Sequence, residues 1–224
     1  MKILYNKITF VIIVLLFMMS SLSFAVENSS VGGVNIAIPD IPEFTTHASQ
    51  EDPKRRYAQD KMPGFRVLAF YFPILRASGK PERVTITVSV TNDEKTMVTR
   101  EVFRKNVESS KADIAAIEKN FNGKSLDNGK KSGTGETAQA VNSIMAKVTH
   151  SNDSIFRWVQ TGEYQMRAEN GDIRTQPTIS CSALVLIKDR MLVVTAIGRY
   201  TNGKDVEYGQ EMMDKYLKAL FSVN

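Results

Sequence analysis

The chain is poor in the residues that most often carry chemistry. It has one cysteine, two histidines and one tryptophan among its 224 residues. A single cysteine excludes an internal disulfide, so the fold must be stabilised by an apolar core rather than by covalent cross-links. Cys181 lies in a run of apolar and small residues typical of a strand. A thiol in such a run packs as a small hydrophobic group, and we expect it to be buried and unreactive.

Patterns typical of metal and catalytic sites are also missing. His47 and His150 have neither the His-x-x-x-His nor the Cys-x-x-Cys spacing of a metal site. The glycine-rich segment GKKSGTGET at 129–137 lacks the full pattern of a phosphate-binding loop, and a predicted helix rather than a strand precedes it. No Gly-x-Ser-x-Gly elbow of a serine hydrolase is present. The sequence therefore predicts no catalytic residue, no metal and no cofactor.

Charge of one sign is not concentrated in any segment. The net charge is only +5, and the densest basic cluster, Lys54-Arg55-Arg56, has Asp52 and Asp60 close by. Nucleic-acid binders gather Lys and Arg on one face. We interpret the cluster as a solvated helix face, and the sequence predicts no nucleic-acid partner.

The only segment that resembles a membrane segment is too short to span a bilayer. Lys2 and Lys7 give a basic start, the apolar run at 8–19 has 12 residues, and small residues follow up to Ala25. A span needs about 20 apolar residues, so a retained anchor is the weaker alternative to a signal peptide cleaved after Ala25. The leader has no cysteine for lipid attachment. We therefore expect a periplasmic or secreted protein with no stable membrane anchor after signal cleavage.

The remaining chain has the length and patterning of one domain. Residues 26–33 have no periodicity and predict a flexible lead-in, followed by a single domain at 34–224 with a mobile loop at about 122–136. Hydrophobic periodicity predicts the secondary structure. The predicted strands are 34–38, 65–72, 84–91, 155–167, 178–188 and 191–200, and the predicted helices are 52–62, 99–121, 138–148 and a C-terminal helix with an apolar seam at 212–221. This order predicts an α+β fold, a mostly antiparallel sheet with helices packed over it.

The order of elements resembles a known sandwich fold. The paired strands FRVLAFYF and RVTITVSV, and the closing unit ALVLIKDRMLVVTAIGRY followed by EYGQEMMDKYLKALF, are similar to the α/β/α sandwich shared by the Mog1 and PsbP proteins. The chain also resembles exported proteobacterial proteins of unknown function. The likeness covers most of residues 34–222. It rests on pattern without a signature motif, so neither the photosystem role of PsbP nor the small-GTPase role of Mog1 transfers, and no functional residue is carried over.

One aromatic patch stands out as a candidate binding site. Phe156, Arg157, Trp158 and Tyr164 lie on one predicted strand, where they could line a groove, with core packing as the alternative. Carboxylates for hydrolysis are available at Glu163, Glu169 and Asp172, in surroundings that suit solvent exposure. The spatial separation that such chemistry requires cannot be read from sequence.

These observations favour a non-enzymatic, exported envelope protein that binds another protein or a small ligand. The binding surface is expected at the loop 122–136 or around Trp158. The alternative is a small exported hydrolase, or a secreted effector, with a carboxylate site. A third hypothesis is association with a membrane surface through exposed basic residues, which predicts salt-sensitive binding to anionic vesicles.

Overall fold

The computed structural model describes residues 26–42, 44–47, 49, 51–60, 62–73, 84–91, 95–121, 140–167 and 173–224. The predicted signal peptide at 1–25 and the predicted loop at 122–136 lie outside these ranges. In the described residues the strands are β1 (Val26–Val31), β2 (Val34–Pro39), β3 (Phe44–His47), β4 (Phe65–Pro73), β5 (Val84–Thr91), β6 (Ala140–Ser151), β7 (Ile155–Arg167), β8 (Ile173–Ile187) and β9 (Arg190–Arg199). The helices are α1 (Pro53–Asp60), α2 (Arg100–Phe121) and α3 (Gly203–Ser222).

Seven of these strands form one antiparallel sheet in the order β3-β4-β5-β9-β8-β7-β6. The hairpin β1–β2 is a separate two-stranded sheet. Helix α3 and the hairpin pack on one face of the large sheet, and α2 packs on the other. The predicted α+β fold with a mostly antiparallel sheet and helices over it is therefore confirmed.

Side-chain caps set the starts of α1 and α2 where the sequence predicted them, and a further cap begins α3. Asp52 accepts a hydrogen bond from the backbone N–H of Lys54 at 2.8 Å, and Pro53 occupies the first helical position of α1. Thr99 accepts from the N–H of Val102 at the start of α2. Asn202 and Asp205 form a capping box at the start of α3.

Several segments differ from the sequence prediction, and the first is the start of the described chain. Residues 26–33 were predicted to be a flexible lead-in, but Val26–Val31 is strand β1, joined to β2 by a tight turn at Gly32 and Gly33, both with positive φ. Among the described side chains of β1, only Val31 is buried in the core, so the strand needs few apolar residues and its sequence is mostly polar. A Gly-Gly pair between two strand segments is a recognised hairpin turn, and this signal was missed.

The helix predicted at 138–148 was wrong, because Ala140–Ser151 is strand β6. The apolar spacing suggested a helix since the pairing of β6 with β7 shifts register at three places, which breaks the simple alternation of a strand. Strand β8 also begins earlier than predicted, at Ile173 rather than at 178, and continues through Pro177. Pro177 contributes its carbonyl, which accepts from the N–H of Tyr200 at 3.0 Å.

The basic cluster of α1 is only partly solvated, in contrast to the prediction. Lys54 and Arg56 are exposed, whereas Arg55 is buried and donates from Nε and Nη2 to the carbonyl of Val67 at 2.8 and 2.6 Å. Arg55 thus fastens α1 to β4. None of the helices in the described part of the chain combines the length and apolarity that a bilayer crossing requires.

Candidate binding groove

The two faces of the large sheet differ in how completely they are covered. On one face, α3 packs over β8 and β9 and also contacts β2. The hairpin contributes Val31, Ile36 and Ile38 to the same core. Large side chains here are fully buried, among them Tyr71, Tyr216, Ile86, Leu192 and Leu220. This face is closed.

On the opposite face, α2 covers only part of the sheet. Its buried stripe, Phe103, Val107 and Ile114, joins Phe156 of β7 and Leu184 of β8 in a second apolar cluster. The segment before α2 is tied to the β8–β9 turn, because the N–H of Val98 donates to the carbonyl of Asp189 at 3.0 Å. The helix packs against β6 and β8. Met191 and Val193 at the start of β9 also pack against this cluster, whereas none of the described residues of β4 and β5 belongs to it.

Short hydroxyl side chains form the surface that continues from α2 across the sheet. Register places Phe70 opposite Thr87, Thr87 opposite Thr195, Thr195 opposite Ser182 and Ser182 opposite Trp158. These five residues make one row across β4, β5, β9, β8 and β7. A second row contains Thr85, Ile197, Ser180 and Gln160. Hydroxyl side chains therefore occupy the middle of the first row, and Ile197 lies beside Ser180 in the middle of the second.

Larger groups stand on either side of these hydroxyls and give the surface the form of a groove. On the β4 side, Phe70 and Phe72 have ring centroids 6.3 Å apart, and Lys54 of α1 places its Nζ 4.5 Å above the Phe72 ring. On the β7 side, Trp158 stacks on Phe156 at 5.5 Å beneath α2. We call this the sheet groove: its floor is Thr85, Thr87, Ser180, Ser182, Thr195 and Ile197, and its walls are Phe70, Phe72, Lys54 and Trp158.

Apolar groups of the sheet groove are open to solvent. Phe72 is 42% exposed and Ile197 is 37% exposed, although both belong to internal strands of the sheet. The strand predicted at 65–72 is apolar on both faces, but its groove face is only partly covered, with Phe70 half-buried and Phe72 exposed. Arg199 lies two residues beyond Ile197 on the same side of β9 and is also exposed.

Within the floor, Thr87 and Ser182 are buried, whereas Thr85, Ser180 and Thr195 are half-buried. The open part of the groove therefore combines exposed apolar side chains with these half-buried hydroxyls and with the cations Lys54 and Arg199.

The structure does not bring the predicted aromatic patch together as one surface. Phe156 is fully buried under α2, and Trp158 is half-buried beside it. Arg157 points to the opposite face, where its guanidinium pairs with Asp214 of α3. Tyr164 lies further along β7, opposite Gln176. Strand alternation explains the split, since successive side chains point to opposite faces. Trp158 alone borders the sheet groove.

The remaining candidate residues lie outside the groove. Cys181 is buried as predicted, and burial raises the pKa of its thiol to about 12, which suppresses the thiolate. Glu163 lies on β7, while Glu169 and Asp172 fall outside the described residues. In the described ranges, no group of three or more His, Cys, Asp or Glu side chains is arranged to hold a metal ion. The sheet groove is therefore the candidate binding surface that the described residues offer.

The chain resembles known proteins weakly in fold, and it matches no protein family. No protein-family model and no curated protein matches the chain. It is similar to the Ran-binding protein Mog1p of Saccharomyces cerevisiae, at 13% identity and a TM-score of 0.36 over 89% of this chain and 94% of that chain. A mutant of the protein Mog1 gives 14% identity and a TM-score of 0.37 over 88% of this chain and 94% of that chain. The resemblance expected from the sequence is confirmed as a weak one, and it implies nothing about what this chain binds.

Proposed function

We propose that this chain is an exported, non-enzymatic accessory protein of the cell envelope, which binds another protein through the sheet groove. The leader at 1–25 motivates export, since its basic start, short apolar run and small residues before Ala25 are typical of a cleaved signal. The mature protein then acts in the periplasm or outside the cell.

The observation that carries the binding proposal is the solvent exposure of Phe72 and Ile197 on internal strands of the sheet. An internal strand normally buries its large apolar side chains, so exposing two of them on one face has a cost unless a partner covers them. A protein is favoured over a small ligand because the groove crosses five strands, whereas small-molecule sites are enclosed pockets.

Photo-crosslinking in living cells tests both parts of the proposal. A photo-reactive phenylalanine analogue is placed at Ile197 in the full-length chain, and in a matched control at Phe221. Phe221 is a fair control because it is 38% exposed, close to the 37% of Ile197, but lies on α3, which packs on the other face of the sheet. Mass spectrometry identifies the captured protein and the N-terminus of the mature chain.

We expect a discrete crosslinked protein from position 197, none from position 221, and a mature chain that begins at Val26. A chain that keeps residues 1–25 would contradict export by signal cleavage. Equal capture from both positions, or no capture from position 197, would contradict the assignment of the sheet groove as the binding surface.

A further inference from the structure

The shape of the sheet groove indicates which kind of protein segment it accepts. Its floor spans β5, β9 and β8, and its walls stand on β4 and β7. Neighbouring strands are about 4.8 Å apart, so the strands that carry the walls are about 19 Å apart. After the aromatic walls occupy part of that width, the remaining space matches one helix, which is about 10–12 Å across.

The backbone of the sheet also favours a helix over an extended segment. The floor strands β5, β9 and β8 already pair on both sides, so their N–H and C=O groups are unavailable to a ligand. An extended segment laid across them would leave its own backbone groups without partners, whereas a helix satisfies them internally. Helix α2 already packs on the neighbouring part of the same face.

The charges around the sheet groove indicate which charged residues a bound helix should carry. Lys54 stands on one wall, and Arg199 lies beside the exposed end of the floor. Among the groove-lining side chains defined above, all of which belong to the described residues, none is a carboxylate. The nearby Asp52 uses its carboxylate to cap α1. A helix that enters the groove therefore meets apolar side chains, the half-buried hydroxyls of Thr85, Ser180 and Thr195, and positive charge.

We propose that the partner segment is a single amphipathic helix, an inference that rests on the proposed function. Its apolar stripe contacts Phe70, Phe72 and Ile197, and its flanks carry Asp and Glu. Apolar contact supplies most of the affinity, because the exposed groups of the groove are large hydrophobic side chains. The two cations select acidic over basic flanks through charge complementarity, which acts on specificity and on the rate of association.

The chain offers a built-in reporter for this inference. Trp158 is its only tryptophan, and it borders the floor of the groove next to Ser182. Two synthetic helical peptides of about 18 residues, each without Trp or Tyr and with the same leucine stripe, are titrated against the mature protein. One peptide has glutamate flanks and the other has lysine flanks.

We expect a saturable change in Trp158 fluorescence, with a dissociation constant at least about tenfold lower for the acidic peptide at low salt. The difference should shrink at about 0.5 M salt, because charges on the rim are screened. Equal binding of the two peptides, tighter binding of the basic peptide, or no saturable change with either would overturn the inference.

Substitutions in the groove separate the contribution of apolar contact to binding from that of the two cations. The double variant Lys54→Glu with Arg199→Glu should invert the preference between the peptides, and Ile197→Asp should weaken both by at least about tenfold. The controls are Lys218→Glu and Phe221→Asp on α3, which are exposed and should leave both affinities unchanged. Circular dichroism of each variant verifies that the fold is intact. An unchanged preference in a folded double variant would contradict the role of the two cations.

The peptide titration and the crosslinking experiment can fail independently. Capture of a protein from position 197 without preference for the acidic peptide would overturn the acidic-helix inference and leave the proposed function standing. Selective binding of the acidic peptide without capture in cells would support the groove chemistry and contradict the proposed function. Failure of both would remove the sheet groove as a binding surface.

Discussion

At the scale of single residues, Gly209 of α3 packs directly against Cys181 of the sheet. A Cβ atom added at Gly209 would lie 2.9 Å from the Sγ of Cys181. In an exposed helix, replacing glycine by alanine stabilises the fold by about 1 kcal/mol. Here the added methyl meets a buried sulfur in a packed core. We expect Gly209→Ala to lower the free energy of unfolding by about 1–3 kcal/mol, measured by urea denaturation.

A second substitution identifies the cause of that loss. Cys181→Ala removes the sulfur, so the variant carrying both changes should recover most of the stability lost in Gly209→Ala alone. The coupling between the two sites is read from a double-mutant cycle. A stabilising effect of Gly209→Ala by itself would show that the helix moves away from the sheet without cost.

Two buried tyrosines that contact each other should respond differently to loss of their hydroxyls. The rings of Tyr71 and Tyr216 meet edge to face at 5.2 Å, and Tyr71 donates to the carbonyl of Pro39 at 2.7 Å. The hydroxyl of Tyr216 is buried and has no hydrogen-bond partner in the described part of the chain. We therefore expect Tyr71→Phe to destabilise the fold by about 1–3 kcal/mol and Tyr216→Phe to be neutral or stabilising. Thermal unfolding of the two variants measures the difference, and equal losses would contradict this account.

At the scale of elements, two side-chain amides take the place of missing strand partners. Among the described residues, strand β3 pairs with residues 70–73 of β4 and none pairs with the start of β4 on that side. There Gln59 donates to the carbonyl of Phe65 at 2.6 Å and accepts from the N–H of Val67 at 2.7 Å. Asn224 does the same for β2, with bonds of 2.9 and 2.8 Å to the N–H and C=O of Ala37. Both contacts block an edge that another strand would otherwise join.

Removing one of these amides should weaken the element that it holds. We expect Gln59→Leu to lower the free energy of unfolding by about 1–3 kcal/mol, because two backbone groups of β4 lose their partners. Hydrogen exchange at the amide of Val67 should accelerate more than exchange at the centre of the sheet. The control is Asp60→Leu on the exposed side of α1. Equal effects of the two substitutions would contradict the edge-pairing role.

The elements that were predictable from sequence are those with uninterrupted periodicity. The alternation in β5 and the apolar stripe of α2 gave the correct type and position, because one buried face dictates each pattern. Strand β6 was mistaken for a helix because its register shifts interrupt the alternation. Strand β1 was missed because it places few apolar side chains in the core.

The sheet groove could not be predicted in the same way, because its parts come from distant segments. Thr87 and Thr195 become neighbours only when β5 pairs with β9, and no local pattern encodes that strand order. The predicted patch around Trp158 came from residues adjacent in sequence, which a strand divides between its two faces. The sequence singled out Trp158 as a candidate binding residue, but the surface that it borders is a product of topology.

At the scale of the whole molecule, the two faces of the sheet carry different roles. The face under α3 and the hairpin is closed, and its core contains three buried groups that ionise at alkaline pH. Burial raises the pKa of the Cys181 thiol to about 12. Burial also raises the pKa of the Tyr71 hydroxyl and that of the Tyr216 hydroxyl. All three groups stay protonated in the folded protein at pH values where an unfolded chain would release their protons.

This core should therefore make the whole fold sensitive to alkali. Each raised pKa means that the folded state binds more protons than the unfolded state once the pH passes the unfolded pKa, which is about 8.5 for cysteine and about 10 for tyrosine, so stability falls as pH rises. The contribution of each group is fully present below its unfolded pKa, and above it the group removes up to about 1.4 kcal/mol per pH unit until its folded pKa is reached. Urea denaturation between about pH 8 and pH 11 should show this decline, and the double variant Cys181→Ala with Tyr216→Phe should flatten it. Of the three buried groups, only the Tyr71 hydroxyl remains to ionise in that variant. If its stability falls as steeply with pH as that of the unmodified protein, the alkaline loss comes from groups outside the closed face.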